Sequence, residues 1–166
     1  MKDVTFTVEF TQHVLANGQD SEGNRDHFQR DNNDNLIFQQ SWWYSAFLTA
    51  LKMERIKHIK PGDIYMDLVV DAPTEMYRRR YGQNKSRMHE AIMPGTEVEF
   101  NAVVEDRVTE STLTRILERV GRYIGLSPYG HKLGYGHFHL LDLEMSASEA
   151  ATGDEDVKVE QIITES

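Results

Sequence analysis

The chain has 166 residues, of which 39% are hydrophobic and 27% charged, a balance typical of one globular domain with a single hydrophobic core. It has no cysteine, which excludes disulfides and thiolate metal sites, and no run of about 18 apolar residues that would cross a membrane. The N-terminus alternates instead of carrying the apolar block of a signal peptide, so we expect a cytoplasmic protein.

The net charge of −9 is unevenly distributed, and by itself it argues against a general nucleic-acid binder. Residues 146–166 carry six acidic side chains against Lys158 alone, and we expect a disordered acidic tail there, after a domain that spans residues 1–145. By contrast, the stretch "MYRRRYGQNKSRMHE" has no acid between Glu75 and Glu90. Its five cations are Arg78, Arg79, Arg80, Lys85 and Arg87. The chain is acidic with one basic region.

The first third of the chain predicts a strand, a loop and a helix. Residues 4–14 alternate between apolar and polar side chains, as a half-buried strand does, and residues 17–35 are dense in Gly, Asn and Asp, as a long polar loop is. Ser41 is the expected N-cap of a helix that runs to about residue 56. The apolar stripe of that helix is Trp43, Ala46, Phe47, Ala50 and Leu51. Trp42 lies off the stripe and is a candidate for a subunit contact.

The rest of the chain predicts three more strands and one more helix. Strands are expected at 64–70, at 98–104 and over "GHFHLLDLEM", and a helix capped by Thr109 or Ser111 is expected to end at Gly125. The order β-α-β-β-α-β predicts an α+β protein with a ferredoxin-like (RRM-like) antiparallel sheet, two helices and a basic insertion between strands 2 and 3.

The connection between the second helix and the last strand holds five glycines within sixteen residues, 121–136. The helix end explains Gly125, but Gly130, Gly134 and Gly136 need another reason. Backbone amides that no side chain covers can bind phosphate oxygens, and Lys132 would add positive charge. The alternative is a loop whose glycines serve only the fold.

Three features together resemble one family. They are the glycine-rich "YIGLSPYGHKLGYGHFHLLDLE", the segment "FQRDNNDNLIFQQSWWYSAFLTAL" (28–51), and the basic insertion between the middle strands. Over roughly residues 4–145 the pattern resembles the RAMP superfamily of CRISPR-associated proteins, the backbone and repeat-processing subunits of CRISPR effector complexes. In that family the second feature is an arginine–aspartate pair, a turn and an extended run into a serine-capped helix. The matching positions are Arg30, Asp31, Asn35, Ile37 and Ser41.

The family's helix cap carries glycine followed by basic residues, whereas this chain has "QQSWWYSAF", so a diverged or phage-borne relative also fits the pattern. The resemblance implies a non-catalytic RNA-binding or assembly subunit of a RAMP-like ribonucleoprotein, with single-stranded RNA and other RAMP-like subunits or further copies of itself as partners. Arginines pair with phosphate and tyrosines stack on bases. The predicted RNA-binding residues are Arg78, Arg79, Arg80, Lys85, Arg87, Tyr77, Tyr81, Gly130, Lys132, Gly134 and Gly136.

Two other functions stay open. One is a structural or interaction protein, of viral origin for instance, that keeps the fold without binding nucleic acid. The other is a metal-independent ribonuclease: the resemblance offers Asp26, in the loop after the first strand, as the catalytic aspartate, and His27 or His13 as a base. Asp26 lacks the family's spacing to Asp31 and neither histidine has a convincing partner, so the sequence favours a non-catalytic protein without a metal or other cofactor.

Overall fold

The structure, a computed structural model, describes residues 1–126, 129 and 134–147, which form ten strands, two α-helices, a short 3₁₀ helix (Pro61–Asp63) and a π-helical turn. The strands are β1 (Lys2–Phe10), β2 (Val14–Leu15), β3 (Gln29–Arg30), β4 (Leu36–Ile37), β5 (Ile64–Met66), β6 (Val69–Val70), β7 (Glu75–Arg80), β8 (Ser86–Ile92), β9 (Glu97–Val104) and β10 (Phe138–Ala147). The helices are α1 (Gln40–Met53) and α2 (Glu110–Arg119). The protein is therefore a mixed α and β chain.

The largest sheet has four antiparallel strands in the order β10-β1-β9-β5, with β1 between β10 and β9. Because side chains alternate across a strand, the apolar residues Val4, Phe6, Val8 and Phe10 of β1 all face one side, where each is at most 1% exposed. The helices cover that side. The Trp43 ring of α1, for example, lies edge-on to Phe100 of β9 at 5.1 Å between centroids.

The strands predicted at 98–104 and at the end of the chain are confirmed as β9 and β10. The strand predicted over 4–14 is β1 only as far as Phe10, because Val14–Leu15 forms the separate strand β2, which pairs with β8. The strand predicted at 64–70 is instead two short strands with different partners, since β5 pairs with β9 whereas β6 pairs with β4. The cause is a turn at Asp67, whose side chain accepts a hydrogen bond from the Val69 amide at 3.0 Å.

Helix α1 buries the predicted stripe, but its N-terminus differs from the prediction. Gln39 is the N-cap residue and makes no side-chain capping bond, and Ser41 lies one residue inside the helix. Trp42 is also buried, at 7% exposure, because the loop before the helix brings Phe28 and Phe38 against its ring. The expectation of a subunit contact at Trp42 is therefore wrong.

Helix α2 begins as predicted at Thr109, whose hydroxyl accepts a hydrogen bond from the Thr112 amide at 3.2 Å. A π-helical turn, Val120–Ile124, extends it to Gly125, where φ is +83°. Of the helices that the structure describes, none combines the length and the apolar composition needed to cross a lipid bilayer.

The basic region forms a hairpin that lies between β5 and β9 in the chain, which is where the basic insertion was predicted. Strands β7 and β8 pair with each other, and β2 pairs with the other edge of β8 to give a second sheet, in the order β2-β8-β7. A third small sheet has the order β3-β4-β6. Strand β10 continues to Ala147, two residues past the predicted end of the domain, and the remainder of the predicted acidic tail lies outside the described residues.

Candidate nucleic-acid interface

The β7–β8 hairpin has two faces, and they divide its cations. Cross-strand register places Tyr77 opposite His89 and Arg79 opposite Arg87 on the face that is turned toward the body of the protein. The outward face carries Arg78 opposite Met88 and Arg80 opposite Ser86, and both outward arginines are exposed. Lys85 lies in the exposed turn between the strands.

Aromatic rings join the inward face to the glycine-rich connection. The Tyr77 ring stacks on His13 with 3.8 Å between centroids, and burial lowers the pKa of His13. The centroid of the Tyr77 ring also lies 6.3 Å from that of Tyr135, which in turn is 6.5 Å from the centroid of the Tyr129 ring. The structure therefore brings the basic hairpin and the glycine-rich connection together at one edge of the molecule.

Arg79 is held within this cluster. Its guanidinium lies over the Tyr129 ring at 4.2 Å and over the Tyr81 ring at 4.9 Å, both within cation–π distance. Its Nε–H donates to Nε2 of His89 at 3.1 Å, while Nδ1 of His89 lies 2.7 Å from the carbonyl of Ala16. Burial lowers the pKa of His89, so the ring is neutral, donating from Nδ1 and accepting at Nε2. Arg79 therefore has three partners within the chain.

Arg87 is paired as well. Its Nε donates to the carboxylate of Asp26 at 2.5 Å, and only 7% of the Asp26 side chain is exposed. Asp26 has a positive φ of +60°, and its carbonyl accepts the Glu90 amide at 2.9 Å, which fixes the loop against β8. Asp26, one of the candidate catalytic residues, is thus engaged in an ion pair with Arg87. Nδ1 of His27, another candidate, lies 2.8 Å from the Arg25 carbonyl oxygen.

A second buried carboxylate fixes the same loop. Glu90 accepts hydrogen bonds from the Phe28 amide, the Thr74 hydroxyl and the guanidinium of Arg30. Burial alone would raise the pKa of Glu90, but these three donors outweigh it and the pKa is lowered. Arg30, the arginine of the arginine–aspartate pair, therefore connects the long polar loop to the basic hairpin.

Some glycines of the connection are packed against the protein and another is open, just as some cations of the hairpin face inward and others outward. Gly136 is buried and its amide donates to the His13 carbonyl at 2.7 Å, and a Cβ there would lie 2.2 Å from the carbonyl oxygen of Leu126. Gly125 is equally crowded, since its Cβ would lie 2.3 Å from the Tyr135 carbonyl oxygen. Gly134, in contrast, is half-exposed and has φ +79° with only Gln12 within 4 Å. Gly130 and Lys132 lie outside the described residues.

The open face of the large sheet is acidic, as its alternation predicts. Glu9 lies opposite Glu97, and Thr7 lies between Glu99 on one neighbouring strand and Asp142 on the other. Two carboxylates directly opposite each other on a sheet repel, and such a face also repels phosphate. Among the described residues no cluster of three or more His, Asp or Glu side chains could hold a metal ion.

The sequence marked the cations of the hairpin but missed the residues that they contact. Tyr129, Tyr135, His13 and His89 form an aromatic cluster with Tyr77, yet nothing in the local pattern marks these four as partners of the hairpin. A partial signal is present in the alternation of β7, because odd-numbered Tyr77, Arg79 and Tyr81 must share one face while Arg78 and Arg80 share the other.

Comparison with known proteins gives a structural likeness only. No protein-family model and no curated protein matches the sequence. Among solved structures, the chain is similar to a chain in a cryo-EM structure of the type III-B Cmr-beta bound to cognate target RNA, with a TM-score of 0.58 and 12% sequence identity. The match covers 88% of this chain but only 61% of the other. At this identity the likeness concerns the fold.

Proposed function

We propose that this protein is a non-catalytic RNA-binding or assembly subunit of a RAMP-like ribonucleoprotein of the CRISPR effector type. The observation that carries the proposal is the meeting of the basic hairpin with the glycine-rich connection, where Tyr77 and Tyr135 are 6.3 Å apart and Arg79 lies 4.2 Å from the Tyr129 ring. The likeness to a chain of an RNA-bound Cmr-beta structure supports it.

The proposal includes a ferredoxin-like topology. If the small strands of the second and third sheets are set aside, the chain order is β1, α1, β5, β9, α2, β10. The sheet order β10-β1-β9-β5 is then fourth, first, third, second, with every neighbour antiparallel, which is the arrangement of two interleaved split β-α-β units. The basic hairpin is inserted between the second and third of these strands.

The contacts within the hairpin narrow the RNA-binding set. Arg78, Arg80 and Lys85 are exposed, and among the described residues no acidic side chain forms an ion pair with them. We assign these three cations to phosphate and the exposed Tyr81 to base stacking. Arg79 and Arg87 act as positioning residues, because their partners hold the hairpin against the loops.

RNA would follow the loop edge instead of the sheet. The carboxylates on the open sheet face exclude a phosphate chain, whereas Gly134 leaves the backbone beside Tyr135 uncovered by a side chain. Gly130 and Lys132 belong to the same connection and are kept in the proposal as further contacts. Gly136 is left out of the proposed contacts, because its amide already donates a hydrogen bond to the His13 carbonyl.

Salt dependence of RNA binding tests the proposal. A labelled single-stranded RNA is titrated with protein by fluorescence anisotropy over a series of salt concentrations. Each phosphate contact on a single strand contributes about −0.7 to the slope of log K against log salt, so three cations give about −2 and all five would give about −3.5. We expect about −2 for the natural chain and strongly weakened binding in the R78A/R80A/K85A variant.

A matched variant controls for net charge. Lys52, Lys57 and Arg122 are also exposed but belong to the helical side of the protein, so K52A/K57A/R122A removes the same charge from another surface. It should bind RNA as the natural chain does. Absence of RNA binding at low salt would refute the proposal and favour an interaction protein, and cleavage of the RNA that D26N abolishes would favour a ribonuclease.

A further inference from the structure

Among the described residues, strand β7 has one edge without a partner strand. There it pairs with β8 alone, at the outside of the sheet order β2-β8-β7. The Tyr81 amide donates to the Lys85 carbonyl at 3.2 Å, so the odd-numbered residues of β7 make the ladder bonds to β8. The backbone groups of Met76, Arg78 and Arg80 therefore point away from β8, and within the described part of the chain none of their amides has an acceptor.

The side chains around this edge are cationic and apolar together. Arg78 and Arg80 project from the outward face beside Met76 and Met88, which are 47% and 40% exposed. A six-residue strand edge with open backbone groups is a template for an added strand. The side chains restrict the choice to an extended segment that is acidic and carries some apolar residues.

The chain itself contains such a segment. Beyond Ala147, residues 148–166 hold six acidic residues and one lysine, and "DEDVKV" sets Asp154 and Asp156 two residues apart, followed by valines. In an extended chain, residues two apart share a face, and Arg78 and Arg80 have the same spacing. We propose that the acidic segment of a second copy of this chain adds to the free edge of β7, with Asp154 and Asp156 opposite Arg78 and Arg80.

The link between Ala147 and the acidic segment is too short for pairing with β7 of the same molecule, which favours pairing with a second copy. The hairpin meets the end of β10 that begins at Phe138, through Tyr77 and Tyr135, whereas Ala147 is at the opposite end, paired with Lys2. Strand β10 separates these ends by about 30 Å, at about 3.3 Å per residue. The seven-residue link from Ala147 to Asp154 spans at most about 25 Å when fully extended. Backbone pairing within one molecule therefore falls short.

Self-association without RNA tests this inference, which does not depend on the proposed RNA binding. Sedimentation velocity of the nucleic-acid-free protein is measured from about 1 to 200 µM, a range that covers contacts of micromolar to submillimolar affinity. We expect concentration-dependent association of the full chain that weakens at high salt. Both a chain that ends at Ala147 and the R78D/R80D variant should remain monomeric.

Charge exchange provides the decisive variant. A chain with both R78D/R80D and D154R/D156R restores opposite charges at the proposed contact and should associate again, whereas E149R/E165R, which changes acids outside the pairing, should behave as the natural chain. Thermal melts establish that each variant is folded. A monomeric full chain over the whole range, unchanged association after truncation, or failure of the charge exchange to restore association would each overturn the proposal.

Discussion

Replacing two neighbouring arginines of β7 one at a time separates the proposed positioning role of Arg79 from the proposed RNA-binding role of Arg78. Arg79→Ala removes two cation–π contacts, worth about 0.5–1 kcal/mol each, and leaves Nε2 of the fully buried His89 without its donor, at about 1–3 kcal/mol. The sum is about 3 kcal/mol. For a chain of 166 residues, at about 2–4 °C per kcal/mol, Tm should fall by about 9 °C. Arg78→Ala, on the exposed outward face, should change Tm by no more than about 2 °C.

Differential scanning calorimetry and the RNA titration together measure the two effects. Arg78→Ala should reduce the magnitude of the salt slope by about 0.7, whereas Arg79→Ala should leave the slope unchanged at temperatures where the variant is folded. Arg79→Lys keeps the charge but loses the planar contact with both rings, so its Tm should lie between the natural chain and the alanine variant. Arg79 has no positioning role if Arg78→Ala destabilises the protein as much as Arg79→Ala does, or if the Arg79→Ala variant keeps the Tm of the natural chain.

Four further substitutions test the fold. Gly136→Ala forces a Cβ to 2.2 Å from the Leu126 carbonyl oxygen and should lower the free energy of unfolding by more than about 3 kcal/mol. Gly134→Ala has a similar positive φ but open space around it, and should lower the free energy of unfolding by about 1 kcal/mol. Urea unfolding of both variants measures the difference. The Arg107 guanidinium holds the pKa of Asp63 at about 2, below its ordinary 3.8. The contribution of the ionised Asp63 to stability is complete above about pH 4 and is lost as pH falls through about 2. Asp63→Asn should therefore destabilise the protein by about 1–2 kcal/mol at pH 7, a value reduced because Arg107 is exposed to solvent. The same substitution should destabilise the protein less near pH 2. Thr109→Ala removes the helix cap and should lower the free energy of unfolding by about 1 kcal/mol in the same urea assay.

Local periodicity was enough to predict the main elements. The alternation of Val4, Phe6, Val8 and Phe10 and the stripe of Trp43, Ala46 and Phe47 are both buried as expected, because which face of one strand or helix is apolar depends on that element alone. The predicted N-cap at Ser41 was wrong because the helix begins two residues earlier, with Gln39 as the N-cap and Gln40 as the first helical residue.

The partners across the chain could not be predicted, because they depend on loops that carry no period. Trp42 is buried by Phe28, from the polar loop, and by Phe38, from the segment just before the helix. Arg87 pairs with Asp26, which lies 61 residues earlier in the chain. The crowding at Gly136 is likewise visible only when the Leu126 carbonyl is placed beside it. In each case the sequence marked the residue as unusual but gave no way to identify the atom that it contacts.

The contacts of Arg79 and Arg87 within the chain reduce the number of hairpin cations that are free to bind phosphate. Five cations in ten residues suggest five phosphate contacts, but Arg87 neutralises a buried carboxylate and Arg79 fills a space between two tyrosine rings and a neutral histidine. Both arginines face inward, and through Tyr129 and Tyr135 their face is supported by the glycine-rich connection. The crowded glycines of that connection and the inward arginines therefore serve the same purpose. Together they fix the direction of the outward face, so that the cations left exposed on it have a defined orientation toward a ligand.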